Sequence, residues 1–284
     1  MAATPATESA LSRLLQGYSA EVTTPNRKTL DAAAVSMPAG SRVYVASLPK
    51  ASIDEQIDTA RMLADRGLEP VPHIVARNLA GHDVLTELME RLVSECRVRR
   101  VLVLGGDRDA SIGPFRDAQD LLSTGVIQRA GLDGVSLGCY PEGHSRIPED
   151  TLHHALLEKV GMLKEAGVDV LLVSQFAFDG AAILTFVRKL RESGIRTPLR
   201  VGVAGPARMT TLIKYAMVCG VGPSLRVLRD RQSLTRDLLA QQTPREVLEP
   251  IALASQLEPE LRLWGVHFFT FSALQKSIDW AEAH

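Results

Sequence analysis

The stretch Val135-Ser136-Leu137-Gly138-Cys139-Tyr140-Pro141-Glu142-Gly143-His144 decides how this chain is read. An apolar run of strand length ends in a turn that carries a phenol, a carboxylate and an imidazole. A packing core has no need of polar groups at a strand end, whereas a ligand site does. The pattern recurs along the chain. Other apolar runs close on Glu21, His73, Asp107 and Gln175.

Those runs make a set of about eight. Ala20-Glu21-Val22 is a weak first strand and Val43-Tyr44-Val45-Ala46 a second. Val71-Pro72-His73-Ile74-Val75 is the third, with Pro72 pushing its start inward. Val101 to Leu104 is the cleanest buried strand. Val135 to Cys139, Val168 to Ser174, Arg200 to Ala204 and Val266 to Thr270 complete the set. In His267-Phe268-Phe269-Thr270 the aromatics alternate between faces, which reads as half buried.

Between the runs the apolar spacing becomes helical. Ile53, Ile57, Ala60 and Ala64 share a face, as do Leu85, Leu88, Met89 and Leu92. Leu152, Leu156, Val160 and Leu163 form another stripe, and Ile183, Phe186, Val187 and Leu190 a fourth. Gly67, Gly167 and Gly194 each close a periodic segment. Strand–helix alternation requires parallel pairing through crossover helices. A doubly wound open sheet competes. Polar strand ends favour an α/β (β/α)8 TIM barrel, whose strand C-termini face one mouth. Leu225, Leu228, Leu238, Val247, Ile251 and Ala254 predict extra helices before the last strand. The expectation is one catalytic domain over residues 1–284, with residues 1–12 frayed.

With 284 residues, 45% of them hydrophobic, the chain can build a large core. Its net charge of −1, with both signs interspersed, gives no basic stripe for nucleic acid. Residues 1–8 lack the basic start and apolar core of a signal peptide, and no run reaches the roughly 20 apolar residues of a membrane span. A soluble, cytoplasmic protein is expected. Cys96, Cys139 and Cys219 are scattered, without a CxxC pair, so no metal site is expected. Cys139 reads as a small buried hydrophobe rather than a reactive thiol. Apolar positions on the outer helices would allow a homo-oligomer.

Glu21, at the end of a first strand and pointing into a dry mouth, would hold its proton near neutrality and deliver it. The plainer reading is a surface turn. Asp107 follows Gly105-Gly106, where two glycines let a ligand approach the backbone. Its charge would stabilise a cation on a bound heterocycle. An ordinary turn with an Asx cap is the alternative. His73 is either a satisfied core histidine or a ligand contact. His144, in a polar turn before a helix, suits an anionic group together with Arg146. The Gln175 amide offers a donor and an acceptor at once. Of Phe176 and Phe178, at least one should be packing. Neither a GxGxxG fingerprint nor a phosphate-gripping P-loop is present.

In this order, the stretches resemble the bacterial type of methylenetetrahydrofolate reductase. Tyr140-Pro141-Glu142-Gly143-His144 carries the most specific likeness. Glu21-Val22-Thr23-Thr24-Pro25 is similar to that family's segment with the proton-donating glutamate. Pro72-His73 and Gly106-Asp107 resemble its third- and fourth-strand endings, and Ser174-Gln175-Phe176-Ala177-Phe178-Asp179 its sixth. His267-Phe268-Phe269-Thr270 matches its last-strand ending. The resemblance spans about residues 18 to 280.

It implies a barrel that binds FAD and interconverts 5,10-methylenetetrahydrofolate and 5-methyltetrahydrofolate, with NAD(P)H as hydride source. Glu21 and Asp107 become the catalytic pair. His73, Gly105, Gly106, Asp107, Tyr140, His144 and Lys159 become flavin contacts, with Lys164 competing with Lys159. Asp107, Gln175, Phe178 and Lys276 become folate contacts. The departures fall mostly at nucleotide-contacting positions. Gly105 stands where the family carries arginine, Ala46-Ser47 where it has Thr-Tyr, and Phe271-Ser272-Ala273 where it continues to an arginine, with Lys276 as a later replacement. A flavin-free reductase taking hydride directly from nicotinamide, and a non-catalytic folate-binding barrel, are the alternatives.

Overall fold

The computed structural model describes residues 5–23, 27–221 and 241–284. Eight parallel strands close into a barrel. They are β1 (Ser19–Val22), β2 (Arg42–Val45), β3 (Glu69–Val75), β4 (Arg100–Leu104), β5 (Gly134–Cys139), β6 (Asp169–Ser174), β7 (Leu199–Ala204) and β8 (Leu263–Phe269). Each strand borders its sequence neighbours, and β1 pairs with β8 through Ser19↔His267 and Ala20↔Phe268. This is the (β/α)8 TIM barrel that the alternation predicts. The chain comprises two compact units, a first (Met1–Ala20, Cys139–His153, Val173–His284) and a second (Glu21–Gly138, His154–Leu172).

In the second unit, α2 (Arg27–Ser36), α3 (Ile53–Ala64) and α4 (His82–Cys96) follow β1, β2 and β3. Two short helices, α5 (Ala118–Ser123) and α6 (Val126–Arg129), follow β4, and α7 (Glu149–Glu165) leads into β6. Ser52 and Glu55 form a reciprocal capping box that starts α3. Leu85, Leu88, Met89 and Leu92 of α4 are all buried, as their spacing predicts. Gly67 and Gly167 adopt left-handed φ past their helices. One expectation fails. β3 starts at Glu69 and carries both Pro70 and Pro72 in register with Val43 and Val45 of β2. Its pairing with β4 begins only at His73, so the missing N–H groups precede that ladder.

In the first unit, α1 (Pro5–Leu15) overturns the expected fraying from residue 5 onward. Ala10, Leu11, Leu14 and Leu15 are buried, and α1 packs on α10 (Arg245–Leu257). Each buried leucine contributes about 1.5–3 kcal/mol. An Arg245–Glu8 ion pair of 2.7 Å adds to that contact. The unit also holds α8 (Gly180–Glu192), α9 (Met209–Val218) and α11 (Leu274–Glu282). Val247, Ile251 and Ala254 are buried in α10, one of the helices expected before the last strand. Leu225, Leu228 and Leu238 lie outside the described residues. The last strand is not half buried: His267 and Phe268 are fully buried. Tyr18 and Trp280 pack edge-on against Phe268, so this strand is covered on that face.

Candidate active site

Glu21 is the third residue of β1 and His73 the fifth of β3. The structure brings them together: Glu21 Oε2 lies 3.6 Å from His73 Nε2, with side chains 19% and 8% exposed. The distance exceeds hydrogen-bond reach, and His73 Nε2 has no hydrogen-bond partner among the described residues. A satisfied core histidine is therefore not what β3 carries. Burial pushes the Glu21 carboxyl up to about 7 and the His73 imidazole down to about 3. Both shifts have the same cause, withdrawal from water, and both favour the uncharged forms. Beside them, the fully buried Tyr44 ring meets His73 edge-on at 6.2 Å. The Tyr44 hydroxyl bonds the Ser136 hydroxyl at 3.2 Å. Neither Tyr44 nor Ser136 was marked by a strand-end position, which is why the sequence pattern missed them.

The loops after β2, β3 and β4 are stitched to one another. The Arg77 guanidinium donates to the Arg116 carbonyl at 2.8 Å and the Arg108 carbonyl at 2.7 Å. Arg108 donates in turn to Asn78 Oδ1 at 2.8 Å and to the Pro49 carbonyl. Asn78 Nδ2 donates to the Ser47 carbonyl at 3.2 Å. This clasp was not foreseen, because its members are scattered turn residues. In the same region, Gly106 is constrained by its own backbone. A Cβ there would sit 2.5 Å from Val75 Cγ1, and φ is +101°. Backbone hand and Val75 each call for glycine at this position. At Gly105 a Cβ would meet nothing closer than 3.7 Å. Asp107 is exposed, unlike Glu21.

Lys159 is half-buried, ten residues into α7, and Lys164 is exposed in the last turn. At 1.5 Å per residue they stand about 15 and about 22 Å from the helix start. His144 does not open that helix, which begins at Glu149. Its Nδ1 accepts from the Arg146 backbone N–H at 3.2 Å, and its ring meets Tyr140 edge-on at 5.4 Å. The expected helix-terminus anion site is thus absent at His144.

In the first unit, the Gln175 N–H donates to the Cys139 carbonyl at 2.8 Å, tying the ends of β5 and β6 together. Its side-chain Oε1 accepts from the Phe176 N–H at 3.0 Å, which leaves the Nε2 hydrogens for a ligand. Phe176 and Phe178 are both buried and 5.8 Å apart, so both pack. Lys276 is exposed on α11 and, among the described residues, joins no cluster with the other candidates. Past β8, Phe271 and Ser272 take φ of 47° and 65° in succession. Non-glycine residues avoid this region at about 1–2 kcal/mol each. The Phe271 ring stacks on Tyr215 at 4.2 Å and meets Phe176 edge-on at 5.3 Å, contacts that offset the strain.

A half-buried carboxyl at a strand end, with its pKa pushed up to about 7, marks a candidate site on a barrel fold that hosts many chemistries. The family is settled by comparison: residues 27–236 match the family model "Methylenetetrahydrofolate reductase", and the chain belongs to that family. Among solved structures it is similar to an uncharacterized protein from Clostridium thermocellum that binds two copies of 5-methyl-5,6,7,8-tetrahydrofolic acid. That match has a TM-score of 0.66 and 13% identity, covering 96% of this chain and 98% of that one. It is also similar to the dihydropteroate synthase of Thermus thermophilus. Here the TM-score is 0.51 and the identity 14%, covering 94% and 93%. At these identities the two structures speak for the barrel alone.

The fold family implies FAD, and the residues expected to hold it do not fit that group. Loop polar groups after β2–β4 are committed to the Arg77–Arg108–Asn78 clasp. On the side where a Cβ would point, Gly106 is closed by Val75. No arginine immediately precedes Gly106, and Lys159 stands deep in its helix. His73 is turned to Glu21.

Proposed function

We propose that this protein interconverts 5,10-methylenetetrahydrofolate and 5-methyltetrahydrofolate, with NAD(P)H as the hydride source. One observation carries the reading: Glu21, at the end of β1, is withdrawn from water and holds its proton up to about pH 7. Family membership and the folate bound by the Clostridium thermocellum neighbour support the substrate class. In the reductive direction, the bond between the methylene carbon and the departing amine nitrogen breaks. That nitrogen keeps the electron pair and takes the Glu21 proton. The iminium left at the pterin nitrogen accepts a hydride and becomes the methyl group, and solvent returns a proton to Glu21. Asp107 is assigned to the cation as it develops. Gln175 and Phe178 are assigned to the pterin, and Lys276, exposed, to the outer part of the folate.

The family resemblance routes the hydride through FAD. The clasp and the Val75–Gly106 contact favour a second reading, direct transfer from nicotinamide carbon to folate carbon. Purified protein assayed with NAD(P)H and 5,10-methylenetetrahydrofolate tests both. Turnover by colourless protein without added FAD supports direct transfer. Turnover only after FAD restores the flavin route. No turnover in either case, with 5-methyltetrahydrofolate bound, leaves a folate-binding barrel and refutes the reductase.

A further inference from the structure

We propose that His73 is the positioning residue for Glu21: a neutral imidazole whose Nε2 lone pair receives the carboxyl hydrogen in a hydrogen bond and keeps the acid loaded and aimed. This rests on Glu21 being the acid of the proposed reaction. It moves His73 from cofactor contact, its role by resemblance, to partner of the acid.

Three observations carry it. His73 is buried, and its Nε2 has no hydrogen-bond partner among the described residues, a costly state for a ring nitrogen. Glu21 Oε2 stands across that gap, 3.6 Å from His73 Nε2. A shift of a few tenths of an ångström brings the pair within hydrogen-bond distance. The surroundings also disfavour the charged alternative. The titratable and polar groups around His73 include Glu21 from β1, Tyr44 from β2, behind it Ser136 from β5, and Gln56 from α3, whose amide donates to the His73 carbonyl at 2.9 Å. None of these is a cation. With one proton between two buried groups, the arrangement that avoids charge is carboxylic acid and neutral imidazole. The imidazole then carries its own hydrogen on Nδ1 and presents Nε2 as acceptor. When the acid delivers its proton to the substrate nitrogen, the hydrogen bond to His73 breaks. It reforms when solvent reprotonates the carboxylate.

The test compares His73→Leu, which removes the acceptor, with His73→Gln, which keeps an acceptor oxygen near the Nε2 position. His73→Leu should lower kcat about three- to tenfold near neutrality, because less of the Glu21 carboxyl stays protonated once its acceptor is gone, with KM for the folate held within about twofold. Its alkaline activity limb should move to lower pH, because the acid form has lost its acceptor. His73→Gln should recover most of both. Equal impairment in the two variants, or an unmoved pH limb in His73→Leu, overturns the proposal. A second measurement avoids core substitution at His73. In protein carrying nitrogen-15 histidine, the His73 Nε2 resonance should be that of a hydrogen-bonded lone pair and should shift in Glu21→Ala. An unchanged resonance overturns the pairing. The resonance needs no substrate, so a shift without folate turnover separates failure of the proposed function from failure of this inference.

Discussion

Two pairs of ionisable groups in the second unit are treated in opposite ways. Arg100 opens β4 and its side chain is 5% exposed, yet it stays paired as an ion, with Nη2 2.6 Å from Asp169 of β6. It also shapes its neighbour strand: a Cβ at Gly134 would sit 2.5 Å from the guanidinium. Glu21 and His73, near the other ends of their strands, are held close where burial favours the uncharged form of each. At the N-terminal ends a charge is neutralised by its opposite and becomes part of the scaffold. At the C-terminal ends burial pushes the carboxyl up and the imidazole down, so that both lean to their uncharged forms.

The strongest way to break that contrast is Glu21→Gln. The amide keeps the shape and loses the proton, so kcat should fall by about 10²–10⁴ while the melting curve stays cooperative. A steady-state rate within about threefold of wild type would remove Glu21 from the acid role. Asp169→Asn attacks the other end. It takes the anion from a buried guanidinium and should lower unfolding free energy by about 1–3 kcal/mol in urea titrations, with kcat untouched. A matching loss of activity would mean that the two ends are not separate in function. Gly106→Ala should also cost about 1–3 kcal/mol, since it adds a methyl against Val75 at a left-handed φ. Retained stability there would show that the loop has slack. The mildest probe is pH. Activity that needs the protonated carboxyl is fully present well below about 7 and falls about tenfold per unit above it. A descending limb starting near the ordinary glutamate value of 4.5 would show an acid that is not shielded.

Much of this was legible in the sequence, and the reasons differ from residue to residue. The strands were readable because apolar runs ending in Glu21, His73, Asp107 and Gln175 carry a signal that packing alone does not produce. The Glu21–His73 contact was not, because it joins strands that are not neighbours in sequence and depends on barrel closure. The steric demand at Gly106 was not legible, because a glycine demanded by Val75 looks the same in sequence as one demanded by a ligand. The first helix was misread because its Ala- and Thr-rich start looks like a tail. What orders it is α10, more than two hundred residues later. Arg77, Asn78 and Arg108 gave no sign at all, since ordinary turn residues acquire a joint role only when three loops lie side by side.

The Glu21–His73 pair has a consequence for how the protein responds to acid. Between their ordinary values of 4.5 and 6.5, the unfolded chain carries one proton of this pair on the imidazole, and the native protein carries one on the carboxyl. The proton inventory is the same on both sides of the folding equilibrium, so the pair contributes no slope to stability across that interval. Below it, the unfolded glutamate gains a proton the native imidazole refuses, and stability drops; above it, the native carboxyl keeps a proton the unfolded imidazole releases, and stability drops again. Glu21→Gln leaves His73 uncompensated, and its stability should climb by up to about 1.4 kcal/mol per pH unit between those values. Folding here relocates a hydrogen ion within the molecule, and the plateau that results would shelter the fold through mild acidification.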